Sequence, residues 1–147
     1  MKKWLKGMLI SLLCLFALWF FGQPLLVMFG VIKYKPPLHQ DSSNAVCVAL
    51  LDTSGSQPVV LGELTGTELN VFMQEFLQFD IYRYVNDPPT DFDDRTIKVC
   101  YADGSYDMLG EIVCFYSAEG ERLSLKGWYG IPDDVKDYLF DKYLNAN

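Results

Sequence analysis

The chain holds a single histidine, His39, and no Cys-x-x-Cys pair, and neither a glycine-rich phosphate loop nor a repeat at solenoid spacing can be found in it. Each absence removes a class of function. Zinc ribbons and dithiol redox motifs need paired cysteines at short spacing. Solenoid folds need self-similarity every few tens of residues. Positive charge is also scarce where it would matter. Residues 36–147 contain only 7 Lys+Arg against all 19 acids of the chain, a net of −12. Nucleic acid is therefore excluded as a partner, because binding it requires a cationic surface that releases counterions. The acidic part is nevertheless rich in Tyr, Phe, Leu and Val, so it has the apolar mass for a core and is not a disordered tail.

The first 35 residues are the opposite case: five lysines (Lys2, Lys3, Lys6, Lys33 and Lys35) and no acid. Between Gly7 and Ile32 lie 26 residues without a formal charge. A helix of that length, at about 1.5 Å per residue, exceeds the roughly 30 Å hydrocarbon layer of a bilayer. It would tilt, or bend at Gly22-Gln23-Pro24, since Pro24 cannot donate to the helical ladder. Trp4 and Tyr34 stand where interfacial aromatics stand. A cleaved signal peptide would need small residues ahead of its cut, but Phe20 occupies the −3 position if Gly22 is −1, and the apolar run resumes at Leu25. Cys14 follows Leu13, which is not the small residue a lipoprotein signal requires. The reading is an uncleaved anchor that contacts the lipid bilayer through residues 7–32. Three lysines before the span and two after it favour a cytoplasmic N-terminus and an external C-terminal domain.

Residues 1–34 are thus expected as membrane anchor, 35–44 as a polar tether and 45–147 as an acidic domain. Ala45–Asp52 is a nearly continuous apolar run and reads as a strand; residues 58–64 return as a second. Thr65 and Glu68 have the spacing of a capping box, ahead of an apolar stripe of Leu69, Phe72, Met73, Phe76 and Leu77. Residues 81–85 are short and aromatic. Strands at 96–102 and 105–109 flank Asp103-Gly104, suited to a two-residue turn that pairs Tyr101 with Tyr106 and Val99 with Met108. Gly110 is read as a bulge, because inward parity changes between Met108 and Val113. Strands at 111–116 and 122–128 flank Ala118-Glu119-Gly120, whose three-residue loop pairs Phe115 with Leu123. A last helix begins near Pro132 with Asp133 and Asp134 at its positive end and a stripe of Val135, Tyr138, Leu139 and Tyr143. The predicted fold class is α+β: an N-terminal transmembrane helix, then a small domain with a mostly antiparallel sheet in the order β-β-α-β-β-β-α.

Candidate chemistry is thin. His39 lies in the tether, so a Ser-His-Asp or Cys-His site would require that segment to fold back, and no nucleophile elbow is present. Asp87, Asp91, Asp93 and Asp94 form an acidic loop, but an EF-hand starting at Asp91 would need Gly and Glu where Thr96 and Ala102 stand. Cys47, Cys100 and Cys114 all fall in predicted strands. In an oxidising compartment one pair of them would bridge; as buried side chains they act as small hydrophobes. No metal or cofactor is expected. Trp128 and Tyr129, between Gly127 and Gly130, form the candidate interaction surface, because large rings supply contact area at small entropic cost. The alternative is that they close the core.

The run Asn86-Asp87-Pro88-Pro89, the strand and turn Thr96-Ile-Lys-Val-Cys-Tyr-Ala-Asp-Gly-Ser-Tyr106, and Gly127-Trp128-Tyr129 before a closing acidic-aromatic helix resemble small uncharacterised membrane-anchored proteins of Gram-positive bacteria, over about residues 64–145. The resemblance implies a bacterial envelope setting and no particular activity. The functional expectation is a non-enzymatic, extracytoplasmic module that binds a protein or peptide. The alternatives are a tethered envelope enzyme or enzyme inhibitor, and an accessory subunit acting through its span.

Overall fold

The computed structural model describes residues 10–17, 20–22, 33–84, 94–124 and 128–145. The chain forms two compact units, Met1–Lys33 and Tyr34–Asn147. In the first, residues 10–17 (α1) and 20–22 are helical, with the rings of Phe16 and Phe20 stacked at 6.5 Å. Among the described residues no helix is long and apolar enough to cross a membrane. The predicted transmembrane helix is therefore not supported here, and residues 7–9, 18–19 and 23–32 of the expected span lie outside the described residues.

The second unit is α+β. Strands β1 (Ala45–Asp52), β2 (Val59–Leu64), β4 (Arg95–Tyr101), β5 (Tyr106–Leu109), β6 (Val113–Tyr116) and β7 (Arg122–Leu123) build an antiparallel sheet in the order β2-β1-β4-β5-β6-β7. Strands β3 (Tyr82–Tyr84) and β8 (Trp128–Gly130) pair separately. Residues expected as one strand from 122 to 128 thus divide between two sheets. Helices α2 (Gly66–Phe76) and α3 (Asp133–Leu144) cover one face of the large sheet.

The core is one cluster. Val48, Leu50, Ile97, Val99, Leu109 and Val113 from the sheet meet Leu69, Phe72, Met73 and Phe76 of α2 and Leu139 and Phe140 of α3. Phe72 and Phe76 stack at 5.8 Å, each contributing about 1.5–3 kcal/mol through burial. The apolar stripe of α2 stands as predicted. Its capping box does not: Thr65 precedes the helix but makes no side-chain cap bond. On α3 the buried positions are Val135, Lys136, Leu139 and Phe140, while Tyr138 is exposed. The helix is turned so that Tyr138 and Tyr143 donate to Glu75 of α2, each at 2.7 Å. Lys136 enters the interior with its ammonium 2.8 Å from Asp133, and burial pulls its pKa down.

Two corrections to the sequence reading decide the rest. The β4–β5 turn is a three-residue loop, with Tyr101 N–H bonded to Ser105 C=O at 2.9 Å and Gly104 at φ +89°. A two-residue type I′ turn needs positive φ at both central residues, and Asp103 does not adopt it. Cys100 therefore pairs with Tyr106, Val99 with Asp107 and Lys98 with Met108. This slip of one position reverses which side chains of β5 face inward. It also removes the reason for a bulge at Gly110, which instead sits in the tight turn joining Leu109 to Val113. The second hairpin keeps its predicted pairing, Phe115 with Leu123, with Gly120 at φ +81°.

Residues 34–40 lie against the domain. Tyr34 bridges Ile81, Pro36 is buried, and Lys35 reaches Asp80 at 3.2 Å. Asp41 caps the 3-10 turn Ser42–Asn44 that leads into β1.

Candidate functional site

Trp128 and Tyr129 part company on β8. Pairing with Tyr84 and Arg83 points their side chains in opposite directions, as neighbouring residues of a strand must. Tyr129 is half-buried, 5.8 Å from the ring of Tyr34, with Arg83 against both rings. It closes the domain. Trp128 is exposed and is stacked by the guanidinium of Arg122 at 5.5 Å. Gly130 is required by crowding, because a Cβ there would collide with the Glu111 carbonyl. The two rings do not make a common flat surface.

The free edge of the large sheet is a more developed surface. β2 is its terminal strand and pairs only with β1 among the described residues. Alternate N–H and C=O groups along its outer side are open to another strand. Val59, Val60 and Leu61 are 58%, 57% and 46% exposed. No lysine or proline interrupts β2, although an irregularity opposite Leu50 and Leu51 leaves Leu61 unmatched. Gly62 lies against Leu144 of α3 so closely that a Cβ would clash with it. Beside this edge is a hollow of about 360 Å³ lined by Leu61, Glu63, Thr67, Glu68, Val71 and Lys142, among others. Its charged rim is set by α2 and α3. Lys142 is held 2.7 Å from Glu75, which leaves Glu63 and Glu68 as the acids facing an incoming segment.

Sequence reasoning missed a third constellation. His39 folds onto β5: its Nδ1–H donates to Asp107 Oδ1 at 2.5 Å and its backbone N–H to Oδ2 at 3.1 Å. Tyr101 O–H donates to the same carboxylate at 2.6 Å. Asp107 is 0% exposed, so these three donors replace its water. Burial, followed by the Asp107 carboxylate, pushes the Tyr101 phenol up and keeps it a donor. The imidazole stands edge-on to Tyr101 with centroids 4.6 Å apart. On its other side, His39 Nε2 lies 2.9 Å from Ser105 Oγ. Two signals pointed to this site: an Asp at an inward position and the only histidine in the chain. The slipped register hid both.

Serine, histidine and aspartate at these spacings have the outline of a nucleophilic triad. The hydroxyl direction argues otherwise. Ser105 O–H donates to Asp103 Oδ1 at 2.6 Å, and Gln40 donates into Ser105 Oγ at 2.8 Å. A serine nucleophile must give its proton to histidine. Ser105 is also 4% exposed, which leaves no room for an acyl group beside it. The arrangement is a latch that fastens residues 39–40 to the β4–β5 hairpin. Bonds from the Ser105 side chain, then its backbone, hold Asp103 below the usual carboxylate range.

Among the described residues no group of three or more His, Cys, Asp and Glu is placed to hold a metal ion. Asp87, Asp91 and Asp93 of the acidic loop lie outside them. No family model matches the chain, and neither a curated protein nor a solved structure matches it. The pattern resemblance to envelope proteins therefore lends this site no activity.

Proposed function

We propose that this protein is a non-enzymatic, membrane-anchored module whose external domain takes up an extended peptide segment by strand addition along β2. The observation that carries the reading is the unpaired edge of β2, with three successive exposed apolar residues beside a hollow built by α2 and α3. Strand addition draws affinity from main-chain hydrogen bonds and specificity from pockets for alternate side chains. The surrounding acidity, with Glu63 and Glu68 on the rim, favours a segment that alternates apolar and basic residues. In this reading the uncharged stretch 7–32 holds the chain in the bilayer, and the lysine excess before it keeps the N-terminus on the cytoplasmic side.

The test uses the full chain in detergent micelles and a synthetic peptide of alternating valine and lysine. Backbone amides of β2 should gain protection from hydrogen exchange on binding, and Val60→Lys should weaken binding at least tenfold. Unchanged β2 amides at saturating peptide would overturn the reading. The enzymatic rival predicts that a fluorophosphonate phosphonylates Ser105, with loss of fluoride. No adduct is expected, because the hydroxyl is covered and its proton is directed to Asp103.

A further inference from the structure

The outward face of the large sheet, away from both helices, carries all three cysteines of the domain. Pairing of Met108 with Cys114 and of Lys98 with Met108 places these side chains on one face with Cys100. Cys47 joins them through the regular β1–β4 register, in which Cys47 faces Cys100, Val48 faces Val99 and Ala49 faces Lys98; the irregularity at Val46 lies beyond this pair and shifts only Ala45. The two are direct cross-strand partners, and the Cys100 thiol neighbours that of Cys47 closely enough to raise its pKa. Both are half-buried and line an open hollow of about 560 Å³ with Met108, Tyr106, Lys98 and Glu63.

We propose that Cys47 and Cys100 are a redox-active cross-strand dithiol, oxidised to a disulfide by low-molecular-weight disulfides that enter this hollow. Directly opposed residues of an antiparallel pair have Cα atoms about 4.5–5.5 Å apart, within the roughly 4.4–6.8 Å that a disulfide spans. No backbone rearrangement is needed. Cys114, paired with Met108 and buried, is placed to stay a thiol.

The chemistry is thiol–disulfide exchange. One cysteine thiolate attacks a sulfur of the disulfide R–S–S–R, forming a mixed disulfide and expelling R–S⁻. The second thiolate attacks the protein sulfur of that mixed disulfide, closing Cys47–Cys100 and releasing the second R–S⁻. The protein loses two electrons and two protons, and the oxidant becomes two R–SH. Burial and then the neighbouring Cys100 push the Cys47 thiol up to about 12, which disfavours its thiolate, so Cys47 acts in the second step, where its position directly opposite Cys100 makes the attack intramolecular. The Lys98 ammonium stands in the same hollow, 4.2 Å from the Tyr106 ring, and favours a thiolate beside it.

The experiment uses the full chain carrying Cys14→Ser, in detergent micelles, oxidised with glutathione disulfide, then denatured and blocked with N-ethylmaleimide. Intact mass and peptide mapping should give a Cys47–Cys100 bridge, a loss of about 2 Da, and a single blocked cysteine, Cys114. Cys47→Ser and Cys100→Ser should each stop at a stable glutathione adduct on the remaining partner. Phenylarsine oxide, which bridges paired thiols, should bind one to one, and this binding should survive Cys114→Ser but not either of the other substitutions. A bridge that includes Cys114, intermolecular dimers as the main product, or arsenical binding retained in Cys47→Ser would each overturn the proposal. So would Cys47 and Cys100 both remaining free in folded protein while the guanidinium-unfolded chain oxidises.

Discussion

The two faces of the six-stranded sheet come from the same strands, residue by alternate residue, yet they are finished differently. The inner face receives α2, α3 and the segment 36–40, and each polar group that enters it is met: Asp107 by three donors, Lys136 by Asp133. The outward face lies away from α2 and α3 and carries cysteine, methionine, tyrosine and one lysine around an open hollow. The comparison teaches that the inner face specifies the fold, whereas the outward face and the β2 edge are where the surface is left chemically available. A buried carboxylate without its partners would cost several kcal/mol, so the inner face tolerates little change.

Truncation separates the faces most sharply. Phe76→Ala should lose about 3–5 kcal/mol of unfolding free energy, the range for deleting a buried aromatic. Met108→Ala on the opposite face should lose less than about 1 kcal/mol, since its site is open and can collapse. Urea titration of the full chain in micelles, followed by tyrosine and tryptophan fluorescence, checks both. Equal losses would erase the distinction between the faces.

The latch should come next. His39→Ala and Asp107→Asn should each cost roughly 2–3 kcal/mol, in the range for buried hydrogen bonds to a charged group. Because they share one interaction, the double substitution should cost about 1–2 kcal/mol less than the two single losses added together. Strict additivity would mean that His39 and Asp107 act separately.

The smallest effect concerns pH, where the exposed flank of the inner layer answers. Burial raises Glu75, but hydrogen bonds from Lys142, Tyr138 and Tyr143 outweigh it, and the net shift is downward. A carboxylate lowered in the folded state adds stability above its unfolded pKa and loses it as pH falls through the folded value. The α2–α3 clamp should therefore weaken below the ordinary glutamate range. Glu75→Gln should flatten that acid limb by less than about 1 kcal/mol. A melting temperature series from neutral to acid pH decides it.

Much of this architecture was legible. The β1–β2 hairpin follows from two apolar runs around a turn, the stripe of α2 from its helical spacing, and the β6–β7 register from an alternation in which one parity is clearly apolar. β4 and β5 lacked that contrast. Tyr106 and Met108 look as suitable for a core as Leu109, and Asp107 looks like a solvent residue, so alternation favoured the wrong side. What decided the matter was a histidine 68 positions earlier in the sequence, together with one turn residue whose φ stays negative. Neither is a local pattern. The dithiol was obscured for another reason: Cys47 and Cys100 become partners only through the β1–β4 pairing, which joins strands separated by β2, α2 and β3 in the chain. Trp128 and Tyr129 were read as a candidate interaction surface; pairing with β3 splits them, with Trp128 exposed and Tyr129 half-buried.

The latch has a mechanical consequence. His39 precedes β1 in the chain but fastens to β5, two strands away across β4. Tension applied at Lys33 would be met first by the Tyr34–Ile81 bridge beside β3, then in the middle of the sheet by the His39–Asp107 bond, before it reached the start of β1. Instead of peeling β1 from one end, one bond at a time, such a load must break a buried, multiply bonded contact in a single event. A domain meant to stand at the end of a pulled chain would be reinforced at that point.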